Sequence, residues 1–149
     1  MKKRGVLFLL FAMLIGGLKA QEYKSALGVK AAFNSGLTFK HFLNNQAAAE
    51  VILGLFSNGL SVYGLYEYHT DVNVPGLLVY YGFGGHFGLG NNSTRWGNNG
   101  DIAIGIDGIL GAEYTIPNIP FAVSLDIKPE INALPGVGGY WGGGLGIKY

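Results

Sequence analysis

The sequence contains no cysteine and few charged residues, and both shortages limit what the protein can be. Without a thiol the chain cannot carry a lipoprotein anchor, a disulfide framework or a thiolate metal site. Only 13% of its residues are charged, whereas ordinary globular domains have about 25%. A surface that faces water needs more charge than this, so the composition is unusual for a water-soluble domain.

The N-terminal twenty residues have the arrangement of a secretory signal peptide. Lys2, Lys3 and Arg4 precede an uncharged, mostly apolar run at residues 6–18, and small Ala20 follows. A transmembrane helix needs roughly twenty apolar residues, so this run is too short to be one. We therefore predict a signal peptide at residues 1–20 and a mature chain at 21–149, with an uncleaved N-terminal anchor as the alternative.

The predicted mature chain is short of basic residues. It has six basic and nine acidic side chains, a net charge of about −3, and Arg95 is its only arginine. We expect no nucleic-acid partner, because such proteins carry a basic patch. The length indicates one domain. No apolar run after the signal peptide could form a membrane-spanning helix, so a membrane-embedded chain would have to cross as strands.

Apolar and polar residues alternate along almost the whole mature chain, which predicts β-strands. In the clearest segment, residues 121–132, Leu125 and Ile127 alternate with Asp126 and Lys128. Eight strands are predicted, at residues 23–33, 36–43, 47–56, 60–72, 77–90, 101–116, 121–132 and 140–149. Residues 23–43 could instead form one long bent strand, but bacterial outer-membrane barrels have even strand numbers. We predict an all-β fold, an eight-stranded antiparallel up-and-down transmembrane β-barrel.

The charged residues on these strands share one face. They are Lys24, Lys30, Lys40, Lys128 and Lys148 and, with opposite sign, Glu50, Glu67, Asp107, Glu113, Asp126 and Glu130. Nearly equal numbers of positive and negative charges suit a narrow interior, because an unpaired buried ion costs several kcal/mol. Eight strands leave an interior with room only for side chains. The other face carries more apolar surface than a soluble protein tolerates. We predict a charge network inside and lipid outside.

The chain resembles small outer-membrane barrels of Gram-negative bacteria, the OmpA/OmpX-type architecture. Its ending "GLGIKY" resembles their assembly signal, which would consist of Gly144, Ile147 and Tyr149. The stretches "GLTFKHFL", "GLYEYH" and "GIDGILGAEYTIPNIPFAVSLDIKPEIN" resemble an uncharacterised Bacteroidetes family of such barrels. The resemblance implies an outer-membrane location, insertion by the barrel assembly machinery, and contact with outer-membrane lipid and lipopolysaccharide. It implies no activity.

One histidine resembles part of an enzymatic motif. His41 in "KHFLNN" is similar to the motif histidine of outer-membrane lipid A deacylases, but Leu43 stands where that motif has its serine. The match fails at the nucleophile, so we predict no catalytic residue and no enzymatic activity. A lipid-modifying enzyme remains the alternative.

Further polar residues could form a metal site or a binding loop. Glu67, His69 and Asp71 alternate on one face and could hold a metal ion, but we predict a hydrogen-bonded network, no metal and no cofactor. The loop "NNSTRWGNNG" is predicted to face outward, and its Arg95 and Trp96 are candidates for external binding or for anchoring at the level of lipopolysaccharide.

Together these features predict a monomeric outer-membrane barrel with a closed, charge-filled interior and a structural or surface-interaction role. A porin-like narrow channel or a small-ligand carrier is a further alternative.

Overall fold

The computed structural model describes residues 24–32, 35–55, 59–90 and 100–149. The predicted signal peptide lies outside these ranges. The strands are β1 (Ser25–Ala32), β2 (Gly36–Phe42), β3 (Ala47–Gly54), β4 (Ser61–Asp71), β5 (Leu77–Leu89), β6 (Ile102–Thr115), β7 (Ala122–Leu134) and β8 (Gly138–Lys148). Among the described residues, no helix is long and apolar enough to cross a membrane.

Each strand pairs antiparallel with its sequence neighbours, and β1 also pairs with β8, which closes the sheet into a barrel. Val29, for example, lies opposite Leu37 of β2 on one side and Ile147 of β8 on the other. The prediction of an all-β, eight-stranded, antiparallel barrel is confirmed. Residues 23–43 contain two strands that pair with each other, so the alternative of a single bent strand is wrong.

Two local irregularities interrupt the ladder between β6 and β7. The register shifts between Ile104 and Gly105, as at a β-bulge. Pro129 lies within β7 with its side chain exposed. No residue pairs with β6 are formed around it: the ladder has a gap between the pair Asp107–Glu130 and the pair Leu110–Ile127. Proline has no N–H to donate to a neighbouring strand, which accounts for the gap.

The barrel has the reverse of the polarity found in water-soluble proteins. In the described part of the chain, sixteen polar or charged side chains are buried and only nine hydrophobic ones are. Large hydrophobic side chains are exposed along every strand, for example Ile106 at 66% and Leu125 at 63%. Alternate residues of each strand point to opposite faces, so the interior is polar and the outer surface is apolar.

The connections between the strands define the two ends of the barrel. The connections at residues 43–46, 72–76 and 116–121 lie at one end, with the beginning of β1 and the end of β8; we call this the turn end. The opposite strand ends form the loop end, which includes the connection at residues 135–137.

Candidate functional site in the barrel interior

Ten of the eleven charged residues predicted to share the interior are buried there. They are Lys30, Lys40, Glu50, Glu67, Asp107, Glu113, Asp126, Lys128, Glu130 and Lys148, each at most 6% exposed. Lys24 is the exception and corrects the prediction: it precedes the first residue of β1 and is exposed at the turn end. The alternation of residues assigns Lys24 to the same face as Lys30, but the first strand of the barrel wall begins one residue later, at Ser25.

Three lysines and four carboxylates form the turn-end network, which consists of Lys30, Lys40, Lys148, Glu50, Glu67, Glu113 and Asp126. Lys40 Nζ lies 2.6 Å from Glu67 Oε2 and 3.3 Å from Glu113 Oε2. Lys40 is on β2 and Glu113 is on β6, four strands away around an eight-stranded barrel. This ion pair therefore joins opposite walls.

The other two lysines of the turn-end network also bridge two carboxylates each. Lys148 Nζ lies 2.8 Å from Glu113 Oε2 and 3.5 Å from Glu50 Oε1. Lys30 Nζ lies 2.9 Å from Asp126 Oδ2 and 3.3 Å from Glu50 Oε2. Because each lysine serves two partners, the seven charged groups form one connected cluster.

A buried tyrosine lies beside this cluster. The Tyr80 hydroxyl donates a hydrogen bond to Asp126 Oδ2 at 2.8 Å, and Lys40 Nζ lies 4.3 Å from the centre of the Tyr80 ring. A Cβ at Gly111 would come within 2.6 Å of Tyr80 Cζ and 2.7 Å of Asp126 Cβ. The absence of a side chain at residue 111 therefore makes room for this hydrogen bond.

A second group of side chains lies nearer the loop end. This loop-end network consists of His86, Asp107, Lys128, Glu130 and Asn132. Asp107 and Glu130 are directly opposite each other on β6 and β7, an arrangement of like charges that destabilises a sheet unless it is compensated. Lys128 Nζ lies 3.2 Å from Glu130 Oε1 and compensates the negative charge of that carboxylate, and His86 Nδ1 lies 2.7 Å from Asp107 Oδ1.

One set of residues in this network has the geometry of a metal site. Ligand atoms of His86, Asp107 and Glu130 all lie within 4.8 Å of one another, and nitrogen with carboxylate oxygen suits several divalent ions. However, both ring nitrogens of His86 already have partners, Asp107 Oδ1 at 2.7 Å and Asn132 Oδ1 at 2.8 Å. A metal ion would have to displace one of them and lie close to the Lys128 ammonium, so the arrangement favours a hydrogen-bonded network.

The three residues of β4 that were the alternative metal site do not come together. Glu67 and His69 are buried with His69 Nε2 3.6 Å from Glu67 Oε2. Asp71 is exposed, and its Oδ1 accepts a hydrogen bond from Asn73 N at 2.9 Å. The alternation of residues assigns Asp71 to the same face as Glu67 and His69, but β4 ends at Asp71. The Asp71 side chain therefore stabilises the following turn and does not enter the interior.

His41 has a partner that the sequence did not indicate. It is exposed at the end of β2, and its Nδ1 lies 2.7 Å from Ser25 Oγ of β1, its register partner. Among the described residues, neither side chain contacts a carboxylate. A serine nucleophile needs a base that is itself oriented by a third group, together with donors for the oxyanion, so this pair alone does not constitute a hydrolase site.

The sequence analysis does not identify Tyr63 as an interior residue. Lys128 Nζ lies 3.1 Å from the centre of the Tyr63 ring, a cation–π contact. Tyr63 points to the same face of β4 as Glu67, and this alternation is the signal that could have identified it.

The remaining predicted residues lie away from these networks. Arg95 and Trp96 fall outside the described residues. Gly144 and Ile147 are on β8, with Ile147 exposed on the outer face. Tyr149 follows β8, is joined to Leu27 by two main-chain hydrogen bonds of 2.8 and 2.9 Å, and packs its ring 5.4 Å from that of Phe121.

Comparison with protein-family models, with curated proteins and with solved structures finds no match.

Proposed function

We propose that the chain is an integral outer-membrane β-barrel with a closed, charge-filled interior, and that it has a structural or surface-interaction role without enzymatic activity. The observation that carries this proposal is the reversed polarity of the barrel. Thirty-one large hydrophobic side chains are exposed in the described part of the chain, far more than a soluble monomer tolerates. A bilayer is the solvent that stabilises such a surface.

Aromatic residues near the turn end support a membrane interface. Tyr68 and Tyr81 lie in contact on β4 and β5 with ring centres 5.7 Å apart, and Phe121 and Tyr149 form a second pair at 5.4 Å. Tyr114 is exposed at the same end of β6. Outer-membrane barrels carry aromatic girdles where the hydrocarbon meets the headgroups, so these aromatic residues at one end of the barrel support the proposal.

Strand lengths agree with the proposal on one side of the barrel. The five strands from β4 to β8 have 11 to 14 residues, and a tilted membrane strand needs about 9–11. The strands β1 to β3 have 7 or 8 residues and form the shorter side of the wall.

A closed interior argues for a structural role over conduction. The Lys40 to Glu113 contact of 3.3 Å joins opposite walls, and both side chains are buried. Small barrels of eight strands are filled by side chains, whereas channels need about sixteen. We therefore expect no stepwise conductance in planar bilayers. Discrete single-channel currents that change on neutralising Lys128 or Glu130 would favour the narrow-channel alternative.

A lysine scan of the outer face tests the membrane proposal directly. Ile106 lies near the middle of β6 and is 66% exposed, whereas Val137 lies between β7 and β8 and is 89% exposed. In vesicles, Ile106→Lys is expected to destabilise the inserted barrel by about 2–4 kcal/mol, the cost of a lysine near the bilayer midplane. Val137→Lys, the matched control outside the strands, is expected to have little effect.

A water-soluble barrel would give the opposite result, because replacing an exposed isoleucine by lysine in water is close to neutral. Fractionation completes the test. The protein is expected in the outer-membrane fraction as a monomer whose mobility on a denaturing gel changes on boiling. Recovery as a soluble periplasmic protein would contradict the proposal. The proposed partners are outer-membrane lipid, lipopolysaccharide and the barrel assembly machinery, and the OmpA/OmpX-type and Bacteroidetes relationships belong to the same proposal.

A further inference from the structure

The wall of the barrel is lower on one side than on the other. We call the strands β1 to β3, with 7 or 8 residues each, the short wall, and the strands β4 to β8, with 11 to 14, the tall wall. With a rise of about 3.4 Å per residue and a tilt of about 40°, the short wall is about 18–21 Å high and the tall wall about 29–36 Å. The apolar band of outer-membrane barrels is about 25 Å high, which lies between the two.

The pairing register fixes this difference. Lys30 of β1 lies opposite Gly36 of β2, so only residues 31–35 remain to connect these two strands at the loop end. On the tall wall, by contrast, β5 is paired with β6 over its full length, Leu77–Leu89. The low height of the short wall is therefore a property of the hydrogen-bonded ladder.

Two polar side chains mark the end of the apolar surface on the short wall. Ser25 and His41 point to the outer face, as Leu27 and Phe39 do, because they lie two residues away on the same strands. Both are exposed, and Ser25 Oγ lies 2.7 Å from His41 Nδ1. Leu43 is the next exposed apolar residue after His41, but it lies beyond β2 and lines a cavity at the turn end. The apolar surface therefore ends within these strands.

The tall wall is apolar over its whole height. On β6 the side chains of Ile102, Ile106, Leu110 and Tyr114 are between 40% and 66% exposed, and they extend from the first residue of the strand to the residue before its last. A bilayer of uniform thickness cannot match both walls. If it covers the tall wall, its hydrocarbon also surrounds the polar boundary of the short wall.

We propose that the short wall is a lipid-binding surface where the bilayer is locally thinned, and that phospholipids with short acyl chains collect there. A hydrophobic surface shorter than the hydrocarbon layer is accommodated by thinning, by snorkelling of flanking residues or by oligomerisation. Snorkelling needs a long side chain with a polar end, and Ser25 and His41 have short ones. The inference rests on the proposed membrane location and adds to it the class of lipid that the short wall prefers.

Quenching of tryptophan fluorescence by brominated lipid measures which lipids touch each wall. The two native tryptophans would be replaced by phenylalanine, and a single tryptophan introduced by Phe39→Trp on the short wall or by Phe83→Trp on the tall wall. Both phenylalanines are exposed on the outer face, at 46% and 69%, so the two variants are matched in residue type and orientation. Each variant would be inserted into vesicles with equal amounts of dimyristoleoylphosphatidylcholine and brominated dioleoylphosphatidylcholine, the long-chain quencher.

Quenching in this mixture is divided by quenching in the brominated lipid alone, which removes differences in depth between the two positions. We expect the ratio for Phe39→Trp to be roughly half of that for Phe83→Trp, because hydrophobic mismatch sorts lipids by length. Equal ratios would overturn the inference and leave the membrane proposal intact. If pure brominated lipid quenches Phe83→Trp but not Phe39→Trp, a second copy covers the short wall and the inference is also wrong. Absence of quenching at both positions would contradict the membrane location on which the inference rests.

A second experiment lengthens the apolar surface of the short wall. The double variant Ser25→Leu with His41→Leu adds about 5 Å of apolar height. The wild-type free energy of unfolding should fall when dimyristoleoylphosphatidylcholine is replaced by dioleoylphosphatidylcholine, and the double variant should reduce this fall by roughly half or more, because its mismatch is smaller. Thr70→Leu, on the exposed outer face of the tall wall, is the control and should leave the fall unchanged. A double variant that responds to chain length as strongly as the wild type would refute the role of the short wall.

Discussion

Replacing Lys40 by methionine tests whether the interior ion pairs stabilise the barrel. Lys40 is 0% exposed, and its Nζ lies 2.6 Å from Glu67 Oε2 and 3.3 Å from Glu113 Oε2. In the variant, Glu113 keeps Lys148 at 2.8 Å. Glu67 loses its lysine partner and keeps His69, at 3.6 Å, and the carboxyl group of Glu50 as neighbours, neither of which replaces the lysine charge. The substitution therefore leaves one buried carboxylate without adequate compensation.

The expected cost is about 3–5 kcal/mol, the range measured when one partner of a buried ion pair is removed. That is a large fraction of the 5–15 kcal/mol by which small domains are usually stable. Replacing the partner as well, in the double variant Lys40→Met with Glu67→Met, removes the stranded charge. The double variant should recover about 2 kcal/mol or more, since residues in one network couple by up to about 3 kcal/mol.

Urea titration of the barrel in phosphatidylcholine vesicles measures these free energies of unfolding, with the folded fraction read from the mobility of unheated samples on a gel. Lys24→Met is the matched control, because Lys24 is exposed and should tolerate the same change. A cost for Lys40→Met below about 0.5 kcal/mol, as for an ordinary surface pair, would mean that the interior is hydrated. The reasoning from a dry, ion-paired interior would then be refuted.

Two other substitutions probe packing and hydrogen bonding. Gly105→Ala should destabilise the barrel by about 1–3 kcal/mol, because the new Cβ would lie 2.5 Å from His86 Cε1. Gly64→Ala is the control and should be tolerated, because its new Cβ would meet no atom within 4 Å. Equal denaturation midpoints of the two variants would contradict this explanation. Tyr80→Phe should lower the free energy of unfolding by about 1.5–3 kcal/mol, because it removes a hydrogen bond to a carboxylate. Tyr66→Phe, on the exposed outer face, is the control and should leave the free energy of unfolding unchanged. Indistinguishable unfolding curves for the two variants would show that the Tyr80 hydroxyl contributes nothing to stability.

The alternation of residues was sufficient to predict the number of strands, their order and the face to which most side chains point. This follows from geometry, since the side-chain period of a strand is two and a closed barrel has only an inside and an outside. The predictions failed where a strand ends: Lys24 and Asp71 have interior parity, yet one precedes β1 and the other closes β4. Parity indicates a direction but not whether the wall continues.

Partners across the interior could not be predicted from the sequence. Which lysine reaches which carboxylate depends on the tilt of the strands and on the stagger between them, which no short motif encodes. The contact between Ser25 and His41 has the same origin, because it requires the register of β1 against β2. The gap at Pro129 could have been foreseen, since a proline within a strand always removes one donor from the ladder.

The ion pairs that bridge the junction of β1 with β8 have a consequence for how the barrel assembles. Lys30 of β1 reaches Asp126 of β7, and Lys148 of β8 reaches Glu50 of β3, so both contacts span this junction. Before the two strands meet, Lys30 still has Glu50 and Lys148 still has Glu113 on its own side of the junction, but Asp126 has no lysine partner among the residues that the structure describes and must remain solvated or bear the cost of an apolar environment. Joining the strand edges therefore brings Lys30 to Asp126, so the closure of the sheet and the compensation of this carboxylate are coupled.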